Sequence, residues 1–162
     1  MLAPGYIEWD ESGRIVALRR ARKSERPADV AVLPGLVNAH AHLQLEPLAV
    51  PERAFLPWVS AVMAARGQRS PEDHQRRAVR SLRELLRSGT TAIGEIDSTG
   101  DTLAALRSLP LTGRCYRELT GFHLQPREAR ALVRKSYVRD GGSMLPGLSP
   151  HAPYSVSPDL MW

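Results

Sequence analysis

Disulfide chemistry is excluded from the start, because the 162-residue chain has one cysteine, Cys115, with no second thiol to join. Lysine is nearly absent. Only Lys23 and Lys135 occur, so the net charge of +5 is carried almost wholly by arginine. No run approaches the roughly 18 uncharged apolar residues that a membrane-spanning helix needs. The opening stretch, MLAPGYIEWDESGR, is acidic and has neither a basic segment nor an apolar core, which reads against a secretory signal and for a cytoplasmic protein. The Gly-rich phosphate cradles GxGxxG (after the first strand) and GxxxxGK[ST] are missing as well.

What remains is an ordinary soluble composition. Apolar residues make up 43% and charged residues 24%, which is enough to bury a core of single-domain size. The pI near 10.0 raises the question of nucleic acid. The arginines are scattered, however, and no recognised nucleic-acid module accompanies them. Arg76, Arg80, Arg83 and Arg87 follow helical spacing and predict a solvated helix face. An arginine-driven nucleic-acid binder would instead show steeply salt-dependent binding.

The pattern of elements points to βα units. Tyr6 to Ala21 reads as a β-hairpin around Asp10-Glu11-Ser12-Gly13, and a polar connection containing Pro27 runs from Arg19 to Asp29. Val30 to Val37 is an apolar run, interrupted by Pro34-Gly35, that predicts a strand buried on both faces. Phe55, Trp58, Val59 and Val62 recur at helical spacing. Ser70 as N-cap, Pro71 at the first position and Gly89 as the stop delimit the clearest helix. Thr90 to Ile96 then reads as a strand, Asp101 to Leu109 as a helix, Leu111 to Leu119 as a strand and Pro126 to Val138 as a helix. Met144 to Ser149 is a further short strand, and Ser157-Pro158-Asp159 opens one more helix. Such alternation predicts an α/β fold with a parallel sheet.

The sharpest chemistry lies in Asn38-Ala39-His40-Ala41-His42, at the end of the first apolar strand. Residues two apart on a strand share a face, so two imidazoles converge where α/β barrels keep their active sites. Such a pair suits a divalent transition metal, although two ordinary loop histidines give the same spacing.

The surrounding residues narrow the choice. Val32-Leu33-Pro34-Gly35-Leu36-Val37-Asn38-Ala39-His40-Ala41-His42 resembles the opening metal-binding strand of the amidohydrolase superfamily. Leu85 to Gly94 is similar to the next helix and strand of that group. Ser149-Pro150-His151-Ala152-Pro153-Tyr154-Ser155 resembles a fourth-strand signature of its aminohydrolase and chlorohydrolase branch, which includes cytosine, guanine, methylthioadenosine and aminodeoxyfutalosine deaminases. The hairpin resembles part of the small β-sandwich beside the barrel.

That resemblance implies the N-terminal half of a TIM (β/α)8 barrel over residues 30–162, about four βα units of the eight in a full barrel, preceded by a partial β-sandwich over residues 1–29. It implies His40 and His42 as metal ligands, with zinc as the metal and iron as the alternative, and His151 as a substrate contact. Glu118 is a further substrate-contact candidate, since only one of Arg117 and Glu118 on their strand can face inward. Metal-assisted hydrolysis follows, in which activated water attacks a ring carbon and a carboxylic acid passes a proton to departing ammonia. Dechlorination uses the same activated water.

The resemblance places no catalytic acid among these residues. The third histidine, the glutamate and the aspartate would lie beyond Trp162, so the chain is expected to need a copy of itself or a complementing second half. A small molecule is the expected ligand, with no nucleic acid and no membrane. The competing expectation is an inactive half-barrel remnant or interaction protein. Glu95 and Asp97 share a face and are expected to cap loops or support the site. Cys115 is expected to be a buried small residue, and His74 and His123 to be surface groups.

Overall fold

The computed structural model describes residues 4–26, 28–45, 54–107, 109, 111–140 and 142–161. Pro27 and Trp162 lie outside them. The chain divides into two compact units, residues 1–34 and 35–162.

The first unit contains the expected hairpin. β1 (Gly5–Trp9) pairs antiparallel with β2 (Ile15–Arg20). Asp10 shapes the turn, its Oδ1 accepting from the backbone N–H groups of Ser12 and Arg14, both at 2.9 Å. Gly13 follows at φ +78°, the left-handed region that a residue without Cβ enters freely. The Arg19 guanidinium lies 3.7 Å from the Tyr6 ring centroid and is also paired with Glu25.

The second unit is a parallel sheet in the order β3-β4-β5-β6, with helices between successive strands. β3 is Leu36–Ala41, β4 is Thr90–Asp97, β5 is Thr112–Leu119 and β6 is Met144–Pro150. Consecutive strands that neighbour one another in parallel, each pair joined through helix, are the arrangement of a barrel wall. This is a partial TIM barrel.

The first barrel strand differs from expectation. Val30 to Gly35 form no strand, and pairing begins only at Leu36. Pro34 cannot donate to a ladder, and Gly35 packs so close to Thr91 that a Cβ there would overlap its side chain. Nor is this run buried on both faces. Leu36 and Val37 are exposed, because β3 has no second neighbouring strand among the described residues.

Helix α1 (Phe55–Gly67) buries none of its residues, and α2 (Pro71–Arg87) follows the sequence signals closely. Ser70 Oγ accepts from the Asp73 N–H at 3.3 Å, Pro71 needs no partner for a missing N–H, and Gly89 turns out at φ +87°. Arg76, Arg80, Arg83 and Arg87 lie on the exposed side, as the spacing predicts. α3 (Thr102–Leu106), α4 (Pro126–Ser136) and α5 (Pro158–Met161) complete the set.

One face of the sheet meets these helices. Ile93, Cys115 and Met144 from three adjacent strands pack with Ala78 and Leu82 of α2 and Leu106 of α3. A second cluster joins Leu119 to Ala129, Val156 and Leu160. Strand alternation therefore turns Tyr116 and Glu118 to the opposite face, the inner one of a barrel. Among the described residues, no helix is long and apolar enough to cross a membrane.

Candidate metal centre

The two predicted ligands meet. His40 is near the end of β3 and His42 follows its last residue, and their ring centroids are 5.2 Å apart in an edge-to-face arrangement. His40 is exposed and His42 is half-buried. Burial holds the His42 imidazole below its ordinary pKa. The Glu118 carboxylate works against this, while His40 and Arg66 reinforce it. The neutral ring that results is the form that binds metal.

The donor set fits a metal in part. His42 Nδ1 is buried with no hydrogen-bond partner. A nitrogen in that state is costly unless something else takes its lone pair or proton. No group of three or more His, Cys, Asp or Glu side chains with metal-holding geometry occurs among the described residues. Two imidazoles alone fall short of the three protein ligands that a catalytic zinc site normally uses.

Glu118 lies on the inner face near the end of β5, its side chain 7% exposed. Its Oε2 is 3.9 Å from Nη2 of Arg66, which also donates to Ser98 Oγ at 2.7 Å. Sequence reasoning missed Arg66, because a cation in the last turn of a helix usually signals no more than dipole pairing. Only the fold shows that α1 ends beside β5.

His151 directly follows β6 and is exposed. Its backbone N–H donates to Leu119 O at 3.0 Å, its Nδ1 lies 2.7 Å from Ser155 Oγ, and its ring meets Tyr154 edge to face. These contacts belong to its own loop and to β5, so the imidazole is not brought against His40 and His42. Three strand spacings, about 14 Å along the sheet, separate β3 from β6.

The remaining candidates take structural roles. Asp97 accepts from the backbone N–H groups of Thr99, Gly100, Thr102 and Leu103, which closes the β4–α3 loop. Glu95 accepts from the Leu43 N–H, and burial pushes its carboxyl up to about 9. Burial also pushes the Cys115 thiol up, as befits an inert core residue. His74 departs from expectation. It is buried at 5% exposure, with Nδ1 3.1 Å from Asp101 Oδ2, because α2 turns this residue toward the β4–α3 loop.

Residues 31–162 match the amidohydrolase family. A 5-methylthioadenosine/S-adenosylhomocysteine deaminase of Bacillus cereus is 29% identical over 143 residues, which is 80% of this chain and 33% of that protein. The chain thus spans about a third of the length of the curated relatives it matches. Among solved structures, an aminofutalosine deaminase from Helicobacter pylori superposes with a TM-score of 0.64 at 22% identity, over 79% of this chain and 32% of that one. An atrazine chlorohydrolase from Arthrobacter aurescens, complexed with zinc, superposes with a TM-score of 0.61 at 18% identity, over 94% and 46%. Likenesses at these identities concern the fold.

Proposed function

The chain belongs to the amidohydrolase family, and from that premise we propose that it contributes the first two metal ligands of a hydrolase acting on carbon–nitrogen bonds other than peptide bonds. The reaction proposed is deamination of a nucleobase-like or nucleoside-like ring. The approach of the His40 and His42 rings to 5.2 Å, at the end of a barrel strand, carries this reading.

His40 and His42 would hold the metal, with zinc the leading candidate and iron the alternative. A bound metal supplies Lewis acidity and makes water nucleophilic near neutral pH. His42 is suited to the site by burial, which favours its neutral, lone-pair-bearing form. Glu118 offers a carboxylate to a substrate N–H or O–H, with the Arg66 guanidinium 3.9 Å away. His151 engages the far end of the substrate across the width of the sheet. Passing a proton to the leaving ammonia is assigned to the segment or chain that completes the metal shell.

The same reading implies a completing partner, either another segment, a second copy or a separate second half. The outer edges of β3 and β6 are unpaired among the described residues, and Leu36 and Leu145 beside them are each 57% exposed. These edges also favour the second reading, a scaffold that associates through its open sheet without chemistry.

The test is ammonia release from a panel of aminopurines, aminopyrimidines and their nucleosides, measured on the native assembly supplied with zinc. Turnover that disappears in His40→Ala and His42→Ala supports the proposal. A panel with no turnover, from an assembly that binds no zinc, supports the scaffold.

A further inference from the structure

The ladder between β3 and β4 does not itself fix where His40 points. Asn38 pairs with Ile93 and Ala41 with Glu95, so three steps along β3 run beside two along β4. The extra residue makes a bulge that contains Ala39 and His40, and a bulge re-aims the side chains it carries. Something else must hold the strand end in a single geometry.

Two neighbouring residues of β4 do so. Gly94 is buried, and a Cβ there would overlap the Ala39 carbonyl oxygen, so the bulge closes only because position 94 has no side chain. Next to it, the 0%-exposed Glu95 receives the Leu43 N–H on both carboxyl oxygens, at 2.9 and 3.1 Å. Gln44, also at 0% exposure, completes the clamp. One end of its side-chain amide lies 2.8 Å from Glu95 Oε1 and the other 3.1 Å from the Ser98 N, so it bridges the carboxyl to the loop after β4. Leu43 and Gln44 directly follow His42, so these bonds fix the peptide that leaves the second imidazole.

We infer that Gly94 and Glu95 are positioning residues for the His40–His42 pair, one seating the bulge before the pair and the other anchoring the chain after it. This rests on the metal-binding reading above. Neither residue touches the metal position. Each sets the direction from which the imidazoles approach it, in the way that groups outside a metal shell orient its ligands.

The experiment is an equilibrium titration of the intact chain with zinc alone, following the dissociation constant, with circular dichroism to establish folding. Glu95→Met keeps the length and removes the acceptors, and it should weaken zinc binding about tenfold or more. Glu95→Gln keeps an acceptor for the Leu43 N–H and should stay within about threefold of the parent, a rescue that loss of packing alone would not produce. Should Glu95→Met fail to fold, Gly94→Ala carries the test, again with about tenfold weakening. A folded Glu95→Met or Gly94→Ala chain that binds zinc as tightly as the parent overturns the inference, and so does Glu95→Gln weakened as much as Glu95→Met. His40→Ala separates the two levels. If it leaves zinc binding unchanged, the metal reading falls and the inference with it. If it abolishes binding while the β4 variants do not weaken it, only the inference falls.

Discussion

Arg66 and Glu118, 52 residues apart in the chain, stand with guanidinium nitrogen and carboxyl oxygen 3.9 Å apart, and both act electrostatically on the His42 imidazole. At that separation the pair is not locked, because the Arg66 nitrogen makes its short hydrogen bond to Ser98 instead. We propose the Glu118 carboxylate as the group that receives the ligand.

Glu118→Gln should therefore act on substrate binding. In an assembly that turns substrate over, KM should rise about tenfold, in line with the loss of a charge-assisted hydrogen bond, with kcat nearly unchanged and bound zinc undiminished. Steady-state kinetics with metal analysis of the same preparation checks this. Lost zinc would make Glu118 part of the metal shell instead.

Glu95 predicts a pH dependence of stability. Its carboxyl titrates near 9 in the folded chain, against about 4.5 when unfolded, because burial disfavours the charge. Between those values the folded state holds a proton that the unfolded state has released, so stability falls as pH rises from about 5 toward 9. Thermal unfolding at intervals across that range should show a declining Tm. Glu95→Gln should flatten the decline, and an unchanged slope would assign it to other groups.

Leu82 is fully buried between α2 and the sheet. Leu82→Ala should cost about 2–5 kcal/mol of unfolding free energy, read from urea titration. Arg83→Ala, one position on and facing solvent, should change it by less than about 0.5 kcal/mol.

Cys115 is 2% exposed and its thiol is held in the neutral form by burial. Alkylation by iodoacetamide should be slow in the native chain and rapid in denaturant. Fast native labelling would mean that β5 opens readily.

Much of this was readable from the sequence wherever local chemistry decides the structure. Ser70, Pro71 and Gly89 delimit α2 because capping and backbone freedom act within a turn or two. His40 and His42 were legible because a strand brings alternate residues together. The start of β3 was not, since the apolar run from Val30 read as a buried strand while pairing with β4 begins at Leu36. His74 read as a surface residue, yet its cover comes from a loop 27 residues away. Arg66 and Gly94 gave no local signal of their contacts, and Glu95, expected from its shared face with Asp97 to cap a loop or support the site, gave no sign of which backbone group it holds. Their importance lies in contacts with Glu118, Ala39 and Leu43, which only the folded sheet creates.

The metal-ligand role proposed for His40 and His42 can be seen directly. The measurement is anomalous scattering at the zinc edge from crystals of the assembled protein grown with zinc. An anomalous peak about 2.0–2.1 Å from one ring nitrogen of each imidazole is the expected result. Zinc bound elsewhere, with both imidazoles uncoordinated, would contradict it.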